Sequence, residues 1–458
     1  AWLRGNWQTA LVMEIVFLLA FALWAWVRAN NPPLMSAGGE KWMEYAFLNA
    51  INVSPTFPPN DPWLAGYAIS YYYFGYVLMV ALAKATVVPL SVGFNLGVAL
   101  LFALAALGVY GTVFNLIGLA EKRAAKVGVG TPTYPNFAPL RAAALLGVVF
   151  LLLVGNYQVL IEGAKATGVA APSVINWFDL HDLQNQQSDG GFAPQDSWWW
   201  WRASRTVNDR DPVTNGHIEV IDEFPFFSFL LGDMHPHVLA LPFVFLALGL
   251  ALALYVRGGR GVRWRGWPIS PPLFALAGLA LGGLSFLNTW DFPIYWFVVT
   301  AAYGLGRALR GETDRLYRDT AVLGAGLAGL GVVLYLPFYL GFQSQAGGIL
   351  PNLVFPTRFS QFFLMFGPLL LALSLWLGYL LFRERREVNW RVFGAITFGA
   401  GIGLWAISLL LGGLLYLVPS IRDAVLDVLG TMSLGEAARV GLSRRAATFG
   451  TPLLLGAF

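Results

Sequence analysis

Residues 223–243 read EFPFFSFLLGDMHPHVLALPF. From Pro236 the apolar letters continue to about residue 256. That is the length of helix needed to cross the hydrocarbon core of a bilayer. Asp233, His235 and His237 stand at the mouth of this run, and they include two of the four histidines in the chain. Ionisable groups at a bilayer edge cost free energy unless they are paired or used. The stretch therefore reads as one wall of a functional site at a membrane surface, in a fold built from spanning helices.

The rest of the chain agrees. It has 458 residues, 57% of them hydrophobic and 12% charged, with mean hydropathy +0.61. Soluble domains carry about 25% charge, so this chain cannot hide its apolar surface by folding in water. Further apolar runs lie near 9–28, 92–119, 142–161, 271–289, 292–306, 319–341, 361–382 and 392–418. Another begins near 447 and is cut off at Phe458, so further sequence is expected beyond it. Unbroken runs of this length favour a helical bundle over an outer-membrane barrel. No small-residue cleavage site follows the first run, which is read as a spanning helix and not a removed signal. The absence of cysteine excludes disulfides, thiolate metal ligands and a cysteine nucleophile.

Basic residues set the expected orientation. They crowd the loops holding Lys122, Arg123, Lys126 and Arg141; Arg257, Arg260, Arg263 and Arg265; Arg307, Arg310, Arg315 and Arg318; and Arg383, Arg385, Arg386 and Arg391. These loops, and with them the amino terminus, are expected to be cytoplasmic. The outer side then holds loop 29–91, with an interfacial helix at 71–88, and loop 162–235. All four histidines (His181, His217, His235, His237) fall at the outer side.

Several constellations there carry chemistry, each with a plainer alternative. Glu40 and Glu44 share a face if helical and could take a proton from an attacking hydroxyl. The alternative is a solvated turn partly neutralised by Lys41. Asp233 and His237 lie at i and i+4 in a helix and could pair or hold a divalent metal ion. If Pro236 interrupts the helix start, His235 joins them. Asp291, in LNTWDFP, could orient a histidine or contact a sugar hydroxyl, or simply form the turn. Arg202 and Arg205, in WWWWRASR (198–205), could fork a lipid phosphate, or anchor the headgroup layer, with Arg358 and Lys84 as weaker candidates. Asp61 and the pair Asp222 and Glu223 read as turn and cap residues. There is no Gly-x4-Gly-Lys loop, and no nucleotide or nucleic-acid partner is expected.

The motifs EKWMEYAFLNA (40–50), FPPNDPWLAGYAISYYYFGY (57–76), WWWWRASR, EFPFFSFLLGDMHPHVLALPF and LNTWDFP together resemble the prokaryotic "YYY" family of uncharacterised membrane proteins, named for the tripeptide Tyr71, Tyr72 and Tyr73. More distantly the plan looks like the GT-C class of membrane glycosyltransferases. That resemblance implies transfer of a sugar from a polyprenyl-phosphate donor on the outer face. An acidic residue of the first outer loop, Glu40 or Glu44, would then act near the acceptor, although this chain has Glu-Lys where the class commonly has Asp-Glu.

The expected architecture is an all-α, multi-pass cell-membrane protein. It is a single transmembrane domain over 1–458, with about ten spanning helices and interfacial helices around an outward-facing cavity. The expected activity is glycosyl transfer. The catalytic candidates are Glu40, Glu44 and Asp233. Substrate would be bound by Tyr71, Tyr72, Tyr73, Arg202, Arg205, Asp291 and His235, and a divalent cation by Asp233 and His237. Its partners are the lipid bilayer and a polyprenyl-phosphate-linked sugar. A transporter or flippase is the alternative. It would need polar residues through the bundle, where Glu14 is one of very few. A structural subunit of a larger complex is the third reading.

Overall fold

A computed structural model describes residues 2–34, 39–126, 138–180, 183, 191, 199–257, 266–343, 355–415, 417–428, 430 and 434–458. His181, Trp198, Arg260, Arg263 and Arg265 lie outside the described residues. The structure is almost entirely helical. The chain opens with α1 (Trp2–Asn30), α2 (Lys41–Val53), α3 (Phe74–Thr86), α4 (Leu90–Lys126), α5 (Ala138–Leu152), α6 (Gln158–Ala166) and α7 (Pro172–Phe178). A 3₁₀ turn (Trp199–Ser204) leads to an antiparallel hairpin of β1 (Asn208–Arg210) and β2 (His217–Glu219). Then follow α8 (Pro225–Leu231), α9 (Pro236–Arg257), α10 (Pro271–Leu287), α11 (Asp291–Leu309), α12 (Leu316–Leu334) and α13 (Leu336–Gly341). The chain closes with α14 (Phe359–Arg383), α15 (Trp390–Leu415), α16 (Pro419–Val428), α17 (Leu434–Ala446) and α18 (Gly450–Ala457).

Among the described residues, six helices are long and apolar enough to cross a membrane: α1, α4, α9, α12, α14 and α15. Shorter apolar helices, α3, α5 and α10, accompany them. The expected interfacial helix at 71–88 is α3, which starts at Phe74. Two expected runs are interrupted. The run 142–161 stops at Leu152 because Asn156 folds back, its Oδ1 accepting the Gln158 amide at 3.1 Å to start α6. The run 319–341 breaks at Tyr335, where Pro337 removes an amide donor and begins α13.

The chain divides into two compact units, residues 1–153 with 228–345, and residues 154–227 with 346–458. In the first, α1 and α4 run antiparallel, with Trp24 stacked on Phe102 at 4.1 Å. α4 and α9 run parallel, and Gly108 lets the Phe245 side chain close in. Small residues allow the tightest approaches, as expected where packing replaces the hydrophobic effect. A Cβ at Gly306 would lie 2.2 Å from the Tyr255 carbonyl oxygen, and one at Gly282 would lie 2.7 Å from that of Gly331.

These directions give the first unit two ends. The end of α1, the starts of α4, α9 and α11 and the ends of α10 and α12 share one. The ends of α9 and α11 and the start of α12 share the other, which is basic. There the Arg307 guanidinium is buried and donates to Asp319 (2.8 Å), the Asp314 carbonyl (2.7 Å) and Tyr303 Oη (3.2 Å). In the second unit, Ile175, Phe178, Leu180, Leu183 and Leu364 form the core, and Asp179 receives both Arg210 (2.6 Å) and Arg358 (2.9 Å).

Removing one partner of a buried ion pair leaves the other charge stranded, at about 3–5 kcal/mol. Asp319→Leu is therefore expected to destabilise the protein by that amount in a denaturant titration in detergent. The double variant Arg307→Met/Asp319→Leu is expected to recover most of the loss, and equal losses in both would remove the ion pair as the cause.

Candidate functional site

The site is built on the turn between α8 and α9. Gly232 takes φ +77°, open to glycine but strained for other residues, and Pro236 starts the next helix without needing an amide acceptor. Asp233, Met234 and His235 are left in the turn. Three elements grip it. The Lys41 ammonium donates to the Leu231 carbonyl at 3.2 Å, and Glu44 Oε2 accepts the Met234 amide at 2.7 Å. Asp233 Oδ2 accepts the Glu40 amide at 3.4 Å, and Tyr76 donates to the Met234 carbonyl at 3.2 Å. From α1, the Arg28 guanidinium lies over Gly232, and the Trp24 indole donates to the Phe229 carbonyl at 3.2 Å.

Glu44 and Asp233 are wholly buried, and Lys41 nearly so. The solvated turn weighed for Glu40, Lys41 and Glu44 is thus not what forms: two of the three point inward. Burial, reinforced by Arg28, pulls the Lys41 ammonium below its ordinary pKa, while Asp233 and Glu44 pull it back. Glu40 caps α2 and keeps its side chain 46% exposed. Of the two glutamates Glu40 is the one open to solvent, whereas Glu44 is wholly buried with Oε2 on the Met234 amide.

A row of hydrogen-bonding groups leads away from Glu40. Tyr71 donates to its Oε2 at 3.2 Å, and His235 Nε2 stands 3.4 Å from the same oxygen. His235 Nδ1 faces His237 Nδ1 at 2.8 Å, and His237 Nε2 faces Ser228 Oγ at 2.9 Å. With one proton per ring, His235 donates to Glu40, His237 donates to His235, and Ser228 donates to His237. Tyr71 and His235 thus both donate to Glu40 Oε2, which fixes the carboxylate as an acceptor, an arrangement that suits general-base work. Burial and the Glu40 carboxylate raise the Tyr71 phenol, so it remains a donor.

Helical i, i+4 spacing does not apply to Asp233 and His237, because α9 begins only at Pro236. Asp233 turns to the Glu40 amide while His237 faces His235 and Ser228. For a cation, the better-placed donors are the two facing imidazole nitrogens. The three tyrosines separate in role. Tyr71 reaches Glu40, Tyr72 packs on Phe342 (5.2 Å), and buried Tyr73 meets Phe286 edge-on (4.6 Å). Asp291 starts α11 at the same end of the bundle and is held by the Asn288 amide at 3.3 Å. Arg28, Asn95 and Ser228 belong to the site region and were not singled out from the sequence. An arginine or asparagine at the end of an apolar run reads as an ordinary boundary residue, and Ser228 is masked by the aromatics around it.

In the second unit, Arg202 and Arg205 do not present open forks for a phosphate. Arg202 is bound by buried Glu162, and Arg205 by Glu219 at 3.2 Å while lying over the Trp201 ring at 4.4 Å. Both guanidinium charges are already neutralised. Burial of Asp179 would raise its pKa, but the hydrogen bonds from Arg210 and Arg358 hold it below the usual carboxylate range. Asp222 goes the other way. Burial lifts it to about 6, against hydrogen bonds from Thr206 and the Val207 amide. A raised acid contributes stability fully below its unfolded pKa and loses it as pH rises through the folded value. Unfolding temperature in detergent is expected to fall between about pH 4 and pH 7 through this group, and Asp222→Asn to flatten that part of the profile. An unchanged slope would assign it elsewhere.

A family model described as "Uncharacterized membrane protein (DUF2298)" matches residues 1–455. No curated protein and no solved structure matches the chain.

Proposed function

The chain belongs to this family of uncharacterised membrane proteins, and we propose that it transfers a glycosyl group from a polyprenyl-phosphate donor to an acceptor hydroxyl, with Glu40 as the base. The observation that carries this reading is the half-exposed Glu40 carboxylate at this end of the first unit, held as an acceptor by Tyr71 and His235. The acceptor oxygen attacks the anomeric carbon as the carbon–oxygen bond to phosphate breaks. Configuration inverts, polyprenyl phosphate departs with the bonding electrons, and the acceptor proton passes to Glu40. The His235 ring, beside Glu40, can donate a hydrogen bond to the departing phosphate oxygen. Lys41, Glu44 and Asp233 act by holding the turn in place. If a divalent cation assists, His235 and His237 are its best-placed ligands.

The orientation follows from charge. Arg257, Arg307, Arg310, Arg315 and Arg318 cluster at the end of the bundle opposite Glu40, and the positive-inside rule puts that end in the cytoplasm. The site then faces outward, where lipid-linked sugar donors need no soluble nucleotide.

In proteoliposomes supplied with labelled polyprenyl-phosphate hexoses and pentoses, the protein is expected to release polyprenyl phosphate. Glu40→Gln should lose about 10²–10⁴-fold in rate, the usual size of a general-base contribution. Full activity in Glu40→Gln, or no donor consumed, would sink the mechanism. Orientation can be read separately because the chain has no cysteine. A single cysteine at exposed Tyr67 should react with an impermeant maleimide on intact cells, and one at exposed Tyr317 only after permeabilisation. The reverse pattern would place the site in the cytoplasm.

A further inference from the structure

Arg28 is only 2% exposed, yet among the described residues its Nη2 has no hydrogen-bond acceptor. Its Nε donates to Asn95 Oδ1 at 2.9 Å, and Asn95 in turn donates to the Pro32 carbonyl at 3.1 Å. Asn95 thus fixes one edge of the guanidinium, and Gly232 lies against its face. A buried guanidinium N–H without an acceptor is costly, and such an orphan marks a place where an oxygen belongs.

Beside it opens a cleft of about 330 Å³ between the end of α1 and the start of α4. Arg28, Asn95 and Ser91 supply its polar groups, and Ala25, Ala29 and Leu96 are among its apolar walls. The volume falls in the range of small-molecule sites, roughly 300–1,000 Å³. Both helices are candidate membrane spans, so the cleft opens at the level where lipid headgroups meet acyl chains. A buried guanidinium lining a largely apolar cleft at the ends of two candidate spans matches an amphiphile with an anionic head.

We propose that this cleft binds a phosphate-bearing lipid, with Arg28 Nη2 donating to a phosphate oxygen and the first part of the chain lying along Ala25, Ala29 and Leu96. The cleft is lined by none of Glu40, Tyr71 and His235, so the site stands whether or not Glu40 acts as a base. Arg28 also lies within electrostatic reach of Asp233 across Gly232. An occupant here would therefore brace the turn from behind.

The test uses the full chain in neutral-lipid nanodiscs with dodecyl phosphate as probe. Saturable binding is expected, with neither dodecyl maltoside nor inorganic phosphate competing at equal concentration. Arg28→Gln should bind about ten- to a hundred-fold more weakly, the loss expected for one charge-assisted hydrogen bond. Should Arg28→Gln not fold, Ala29→Trp fills the cleft while keeping the guanidinium and should weaken binding as much. Competition by dodecyl maltoside would reduce the cleft to an apolar groove. Competition by inorganic phosphate would make it a free-anion site. Unaltered binding in the folded variants would place the probe elsewhere. Each of these three results overturns the proposal.

Discussion

The structure depends on keeping four ionisable side chains out of water inside an apolar frame. Arg28, Lys41, Glu44 and Asp233 are all buried around one turn. Taking a charge into such surroundings costs several kcal/mol unless opposite charge and hydrogen bonds replace the lost hydration. Two cations and two anions meet much of this condition together, with the Leu231 carbonyl and the Met234 amide supplying further partners and Arg28 Nη2 left without an acceptor among the described residues. Because each must reach the others, the end of α1, the start of α2 and the head of α9 are fixed relative to one another. Glu40 owes its place to this arrangement: it is the next residue along from buried Lys41, and its own amide is tied to Asp233.

The two ends of the first unit treat charge differently. At the basic end, Arg307 and Asp319 form a buried pair between α11 and α12, with the Arg307 guanidinium also taken up by Asp314, Tyr303 and Glu312. Such a pair fixes helix ends. At the other end the buried quartet lies under a half-exposed carboxylate and two imidazoles, and aromatic rings surround it. Tyr72, Phe338 and Phe342 pack together, as do Tyr73, Phe286 and Phe338, giving amphipathic bulk where the membrane meets water.

Much of this was legible in the sequence, for physical reasons that also explain what was not. Apolar runs such as 236–256 announce themselves because lipid offers the backbone no other partner. The early stop of α5 was hidden because Asn156 alone, in an otherwise apolar stretch, ends it through a local side-chain bond. Glu40, His235 and His237 could be picked out because charge near an apolar run is expensive. Their order along one row could not, since Ser228 enters from the preceding helix, α8. The partners of Arg202 and Arg205 were out of reach in a different way. Glu162 lies forty residues before Arg202, and nothing in WWWWRASR hints that its charge is already matched. Lys41 was misjudged because a lysine between two glutamates looks the same in sequence whether it faces water or the core.

The grip on the Gly232 turn has a consequence for how the protein is made. Glu44 and Met234 are 190 residues apart, as are Lys41 and Leu231. At ribosomal speeds of about 5–20 residues per second, the first helices wait on the order of ten to forty seconds for the turn to be synthesised. Throughout that interval the Lys41 ammonium lacks the Leu231 carbonyl and the Glu44 carboxylate lacks the Met234 amide. The site is completed by a late-arriving segment, and biogenesis, as much as chemistry, constrains where its charges stand in the chain.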